Sequence, residues 1–170
     1  MKAIRMAAAM VAASLILSGC SPAEASPERT KPDETTDRAE VVAVIDGDTL
    51  KVAMDGGEIR VRIIGIDTPE IGRDGEPSEC YADEARRFVD ELVYRRTVDL
   101  SPDLTQGDTD KYGRLLRHVY VDGTDVALAM LEAGAGREYT YDAPYAGRQA
   151  YQAAELDARE AGRGLWSACP

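Results

Sequence analysis

Two short stretches hold residues whose types and spacing could do chemistry. One is "DGDT", with Asp48 just past an Asp-Gly dipeptide; the other is "RIIGIDTPE", running from Arg62 through Asp67 to Glu70. Branched apolar residues fill the middle of the second stretch like a buried strand. Yet a guanidinium opens it, and two carboxylates around Thr68-Pro69 close it. A second arginine, Arg114, opens another apolar run just after "DKYG". Carboxylates with few nitrogen or sulfur partners favour Ca²⁺ or Mg²⁺ over zinc. A guanidinium on the inner face of a sheet is costly unless an anion satisfies it. That anion is either a carboxylate of the protein itself or the oxygens of a phosphate, which the Arg fork matches. Taken singly, "DGDT" reads as a plain hairpin, and "DTPE" as a rigid turn with Thr68 held extended by the proline after it. The arginines are what turn two ordinary motifs into a candidate site.

A sheet must bring these residues together. "VVAVI" (41–45) leads through Asp46-Gly47, a strong hairpin dipeptide, into the alternating "TLKVAM" (49–54). Asp55-Gly56-Gly57 then turns the chain into "IRVRIIGI" (59–66), which predicts a three-stranded meander with Asp48, Asp67 and Glu70 at one rim. Arg62 and Asp67 are five residues apart, so strict alternation would place them on opposite faces. Gly65 predicts a bulge or bend that returns both to one side. Apolar Ala85, Phe88, Val89, Leu92 and Val93 recur at helical spacing. Strands are predicted over 97–101 and 114–121, followed by a helix over 125–134 with Thr124 as its N-cap and Gly134 as its stop. An extended segment (137–141) and an Ala-rich helix (146–164) complete the domain. Five short strands with a helix after the third predict an α+β fold: an OB-type, five-stranded β-barrel with three α-helices. Composition alone leaves other α+β arrangements open.

The leader speaks to destination. Lys2 and Arg5 precede the apolar run 6–17, which is shorter than the roughly 20 residues a membrane span needs. It reads as a secretory signal. "LSGC" (17–20) resembles a bacterial lipobox, in which the leader (1–19) is removed and Cys20 is lipidated. The expected location is the outer face of the cell membrane or the cell envelope. Residues 20–39 carry prolines and charges without a large apolar side chain. They read as a disordered tether with a reach on the order of 25 Å, ahead of one domain over 40–170. The formal net charge is −11. Leader and tether carry equal numbers of basic and acidic residues, so the excess sits in the domain and excludes broad, nonspecific polyanion binding. Beyond Cys20, an even pair remains, Cys80 and Cys169. In an exported protein this pair reads as a disulfide worth roughly 3–5 kcal/mol. Two free buried thiols are the alternative, and a single histidine gives no support to a structural zinc site.

In order along the domain come "DGDT", "VRIIGIDTPE", "TDKYGR", "LEAGAGREYTY" and "GLW". On these motifs the chain resembles the staphylococcal nuclease (thermonuclease) family, Ca²⁺-dependent phosphodiesterases built on an OB barrel. The resemblance implies that Asp48 and Asp67 ligate Ca²⁺ together with the Thr68 carbonyl. It implies Arg62 and Arg114 as the phosphate-binding pair and Glu70 as the residue that handles the attacking water. It further implies cleavage of DNA or RNA to leave 3′-phosphate ends. Tyr139 and Tyr141 correspond to the pair lining the nucleotide site, although the spacing before them is one residue shorter than in the staphylococcal enzyme. Two apart in an extended segment, they share a face, and a base stacked on such a ring is worth about 1–3 kcal/mol. Packing of the same rings on the third helix is the competing reading. Lys111 and Tyr112 read as supports beside the site, Lys111 as a substrate contact. His118 reads as structural, and Trp166 as a cap on the core. The acidic balance departs from the basic staphylococcal enzyme and predicts modest affinity. The narrow reach of an OB groove predicts a preference for single-stranded or frayed substrate, and the protein is expected to be a monomer. The alternative from another class is a noncatalytic OB module of the envelope that binds Ca²⁺, an oligonucleotide or an oligosaccharide.

Overall fold

The computed structural model describes residues 36–170. The predicted signal peptide, the lipidated Cys20 and the tether up to residue 35 lie outside the described residues.

Alternating apolar residues build the wall of a barrel. β1 (Asp37–Val44), β2 (Thr49–Met54) and β3 (Gly57–Ile63) form the expected antiparallel meander. After β4 (Gly65–Asp67) and α1 (Ala82–Val93), β5 (Thr97–Ser101) pairs with β1, and β6 (Leu115–Val121) pairs with β5. β6 also runs parallel to β3, which closes a five-stranded mixed barrel and leaves no open edge among these strands. Val41, Leu50, Val52, Val61, Ile63, Val98 and Leu100 are completely buried. Each such side chain contributes roughly 1.5–3 kcal/mol. A register shift between Val41 and Ala43 bends β1, whose first half pairs with β5 and second half with β2.

Two boundaries of the meander differ most from expectation. β1 starts at Asp37, inside the predicted tether, because Asp37 to Glu40 pair with Leu100 to Thr97 and Ala39 is buried. The third strand does not continue to Ile66. It breaks after Ile63, and Gly65 adopts φ 85°, the left-handed region. A Cβ at Gly65 would lie 2.6–2.7 Å from the rings of Tyr151 and Tyr145, so both conformation and space demand glycine. The break is the irregularity predicted near Gly65. It sends β4 away from the barrel wall to pair with β8 (Arg137–Tyr139), Asp67 opposite Arg137.

The helices cover the barrel. α1 buries Ala85, Val89 and Val93. After the short β7 (Thr124–Asp125) comes α2 (Val126–Ala133), which Gly134 ends as expected. Its N-cap is Asp125 rather than Thr124. Asp125 Oδ1 accepts the Leu128 amide at 3.0 Å, while Thr124 pairs with Val121 in β7. α3 (Arg148–Glu160) buries Tyr151, Ala154 and Ala158, and a single turn, α4 (Leu165–Ala168), follows it. A disulfide joins Cys80 to Cys169 across 89 residues of sequence. Among the described residues no helix is long and apolar enough to cross a membrane.

Candidate active site

The hairpin between β1 and β2 is tight: the Ile45 amide donates to the Thr49 carbonyl at 2.9 Å. A Cβ on Gly47 would lie 2.7 Å from Thr68 Oγ1, so only glycine lets this turn press against the end of β4. That approach buries Asp48 beside Thr68, whose amide and hydroxyl donate to Asp48 Oδ2 at 3.0 and 3.2 Å. Asp48 Oδ1 accepts the Thr49 hydroxyl at 3.1 Å and lies 3.2 Å from Arg62 Nε.

Arg62 exploits the broken strand. Its Nη1 donates to the carbonyls of Ile63 and Ile66, one on each side of the break, both at 2.6 Å. Its Nη2 donates to Asp67 Oδ1 at 3.1 Å. The carboxylate–arginine pairing considered from sequence is therefore present, and the second Nη2 hydrogen is taken by no described neighbour. Arg114 is held similarly. Its Nε donates to Asp110 Oδ2 at 2.7 Å and its Nη1 to Thr49 Oγ1 at 3.1 Å, while Nη2 has no partner among the described residues. Asp110 Oδ1 also accepts the amides of Tyr112 and Arg114 at 2.9 and 3.0 Å, folding the loop around one carboxylate. Burial alone would raise the Asp110 carboxyl, but these Arg114 and Tyr112 bonds outweigh it and hold it below the usual range.

Glu70 stands exposed at the rim. Its amide donates to Glu79 Oε2, and the Glu79 amide donates to the Glu70 carbonyl, each at 3.0 Å, so the loop is clasped one residue before Cys80. No hydrogen bond or ion pair from a described residue engages the Glu70 carboxylate.

The carboxylates here crowd one another. Burial and then the Asp48 charge push Asp46 up to about 6, although Arg73 Nη2 comes within 3.4 Å of it. Burial raises Asp67, with Asp48 and Glu79 adding and Arg62 opposing. Burial, Asp48 and Asp67 raise Glu70 against the pull of Arg73 and Arg62. Among the described residues no three carboxylate, histidine or cysteine side chains form a ready metal cage. The set expected from sequence is smaller, two carboxylates and one carbonyl, and both carboxylates now face Arg62. An all-oxygen donor set with unrelieved negative charge fits a hard dication.

These groups face an open cleft of about 470 Å³. Arg62, Asp67, Glu70, Lys111, Arg114, Tyr139 and Tyr141 all line it, and Asp48 and Thr68 are buried rather than among its lining. The Tyr139 and Tyr141 rings are 6.3 Å apart, tilted by 52°, and exposed. β8 stops at Tyr139, so Tyr141 reaches the cleft from a bend instead of the extended strand expected. The tyrosines buried in the core are Tyr145 and, on α3, Tyr151. Lys111 Nζ and the Arg114 guanidinium lie 5.0 and 5.5 Å from the centre of the Tyr112 ring, which is exposed at the same mouth.

His118 belongs elsewhere. Its Nε2 lies 3.1 Å from Asp103 Oδ2 and its Nδ1 3.5 Å from the Tyr151 hydroxyl, which donates to Asp125 at 2.7 Å. Asp103 also accepts the Thr105 amide and hydroxyl and the Ala146 amide at 2.7–2.8 Å. Burial alone would raise it, but these bonds hold Asp103 down to about 2. The guanidinium groups of Arg137 and Arg159 lie 5.0 and 5.5 Å from the centre of the Trp166 ring. Asp46, Thr49 and Asp110 are site residues that sequence reasoning passes over. Only Asp110 leaves a signal, a carboxylate four residues before Arg114.

Residues 60–168 match the family model described as staphylococcal nuclease homologue. The SPbeta prophage-derived endonuclease YokF of Bacillus subtilis (strain 168) is 36% identical over 137 residues, 79% of this chain and 44% of its own. Endonuclease YncB of the same organism is 36% identical over 135 residues, 78% of this chain and 61% of its own. The chain thus spans about half the length of these two relatives. The thermonuclease of Staphylococcus hyicus is 31% identical over 127 residues, covering 75% of this chain and 74% of its own.

Proposed function

Because the chain belongs to the staphylococcal nuclease family, we propose that it hydrolyses phosphodiester bonds of DNA or RNA with a bound Ca²⁺. The observation that carries this reading is the convergence of Arg62, Arg114, Asp67 and a free Glu70 carboxylate on one cleft, above Asp48. Asp48 and Asp67, with the Thr68 carbonyl, would hold the cation. When bound, Ca²⁺ neutralises and orients a nonbridging phosphate oxygen.

The protein's own groups do the rest. Attack on phosphorus places growing charge on the nonbridging oxygens. The unassigned Nη2 hydrogens of Arg62 and Arg114 are donors suited to that charge, already fixed in direction by the bonds on their other nitrogens. Glu70 accepts a proton from water as the water oxygen bonds to phosphorus. Its raised carboxyl brings its basicity closer to neutral pH. The bond from phosphorus to the 5′ oxygen breaks, that oxygen takes a proton from solvent, and a 3′-phosphate end remains. Tyr139, Tyr141 and Tyr112 offer rings to the flanking base, and Lys111 a cation to its phosphate. The protein acts as an exported monomer held at the cell envelope by lipid on Cys20, its narrow barrel-side groove favouring single-stranded or frayed substrate and its acidic surface keeping affinity modest.

The test incubates the full chain with single-stranded DNA, in Ca²⁺ or in chelator, beside Glu70→Gln. Cutting is expected only with Ca²⁺, and the variant should be slower by about 10²–10³-fold. Cutting in chelator, or an undiminished variant, overturns the mechanism. Ca²⁺-dependent binding without cutting would favour the noncatalytic module.

A further inference from the structure

Thr49 occupies a junction that this mechanism leaves unused. It is the first residue of β2, 3% exposed, and directly opposite Arg62 in the β2–β3 register. Its hydroxyl donates to Asp48 Oδ1 and accepts from Arg114 Nη1, both at 3.1 Å. The neighbours fix that polarity. An ionised carboxylate only accepts and a guanidinium only donates, so the single hydroxyl hydrogen points to the carboxylate side, where Asp48 Oδ1 lies at 3.1 Å and Asp46 is close by, and a lone pair goes to Arg114. Bonds linked in this way polarise one another.

Arg114's other side-chain partner is Asp110, which lies on its own loop. Among the described residues, Thr49 is thus the one hydrogen-bonded link from the Arg114 guanidinium to the β1–β2 turn that carries Asp48 and to β2, which pairs with the strand of Arg62. The backbone of Arg114 is fixed where β6 begins beside β3, but without Thr49 its guanidinium would be anchored by Asp110 alone, and Nη2 would lose its fixed direction into the cleft. Resting on the nuclease reading above, we propose that Thr49 is a positioning residue: its hydroxyl couples the Asp48 carboxylate to Arg114 and aims the arginine at the scissile phosphate. A bland role, a β-branched residue starting a strand, is also available to threonine. Valine keeps that shape and removes both bonds, whereas serine keeps the bonds and removes the methyl group.

The experiment compares Thr49→Val and Thr49→Ser in the full chain, cutting single-stranded DNA in Ca²⁺. The valine variant should lose about 10–100-fold in kcat with KM changed less than about 3-fold, and the serine variant should stay within about 3-fold of the parent. In the double variant with Arg114→Lys, valine should cost less than about 3-fold more than Arg114→Lys alone, because the two act as one unit. A readout independent of turnover is the Arg114 Nε–H resonance in ¹⁵N-labelled, metal-free protein, expected to move in the valine variant and hold in the serine variant. Multiplicative effects, a parental kcat in the valine variant, or an unmoved resonance would overturn the proposal. If the valine protein does not fold, Thr49→Ala carries the same measurements. If the parent cuts nothing, the nuclease reading fails, and the resonance still tests the Thr49 link by itself.

Discussion

Two polar clusters share this barrel and treat their charges in opposite ways. Around Asp103 every acceptor is used: the Thr105 and Ala146 amides, the Thr105 hydroxyl and His118 all converge, and the carboxyl is held down to about 2. The network continues through Tyr151 to Asp125, the cap of α2, so it ties a loop, a strand and two helices together. Around Asp48 the accounts do not balance. Asp46, Asp67 and Glu70 are all pushed upward, Glu70 has no described side-chain partner, and the arginines keep spare hydrogens. A satisfied network is a structural fastener. A set of charges poised against one another in a cleft marks the place where a ligand completes the balance.

If this contrast is sound, substitutions should separate activity from stability. The largest effect belongs to Arg114→Lys, which loses the planar fork but keeps the charge. Turnover measured under saturating substrate should drop by about 10²–10³-fold while the urea midpoint barely moves. A near-parental rate would erase the distinction between the clusters. Asp103→Asn should do the reverse, costing about 2–4 kcal/mol in urea unfolding with kcat per folded molecule within about 3-fold. Because the folded Asp103 carboxyl is depressed, its contribution is present above the ordinary value near 4 and lost as pH falls through about 2. The stability gap between parent and Asp103→Asn should therefore close between those pH values, and a constant gap would deny the carboxylate its role. The smallest effect has the opposite sign. Asp46→Asn removes one of the crowded charges and should stabilise chelator-treated protein by about 1–2 kcal/mol in thermal melts. Destabilisation there would mean that the bonds Asp46 makes to the Asp48 amide and Arg73 outweigh the repulsion.

What can be read from sequence follows the same divide. Asp48, Arg62, Asp67, Glu70 and Arg114 are legible because each violates its local setting: charge beside a buried strand has no structural explanation within a few residues. Gly65 is legible as a break because glycine serves no purpose inside an apolar run unless the chain bends. Asp46 is hidden, since an Asp-Gly turn accounts for it completely and its burial against Asp48 and Arg73 is tertiary. Thr124 and Asp125 are adjacent cap formers, and the choice between them also involves the Tyr151 hydroxyl arriving from α3. The start of β1 leaves almost no trace, because the one residue it buries before Val41 is the small Ala39.

The bond between Cys80 and Cys169 has a consequence in time. By the point at which residue 169 has been synthesised, all eight of the described strands are already available to pair. The barrel can thus assemble first, and the loop carrying Glu70, clasped through Glu79 beside Cys80, is secured last. That final step also waits on an electron acceptor, since two thiols must be oxidised to make it. Maturation of the cleft is then scheduled by the redox state of the surroundings, and a reducing compartment would hold the finished barrel with its rim unfastened.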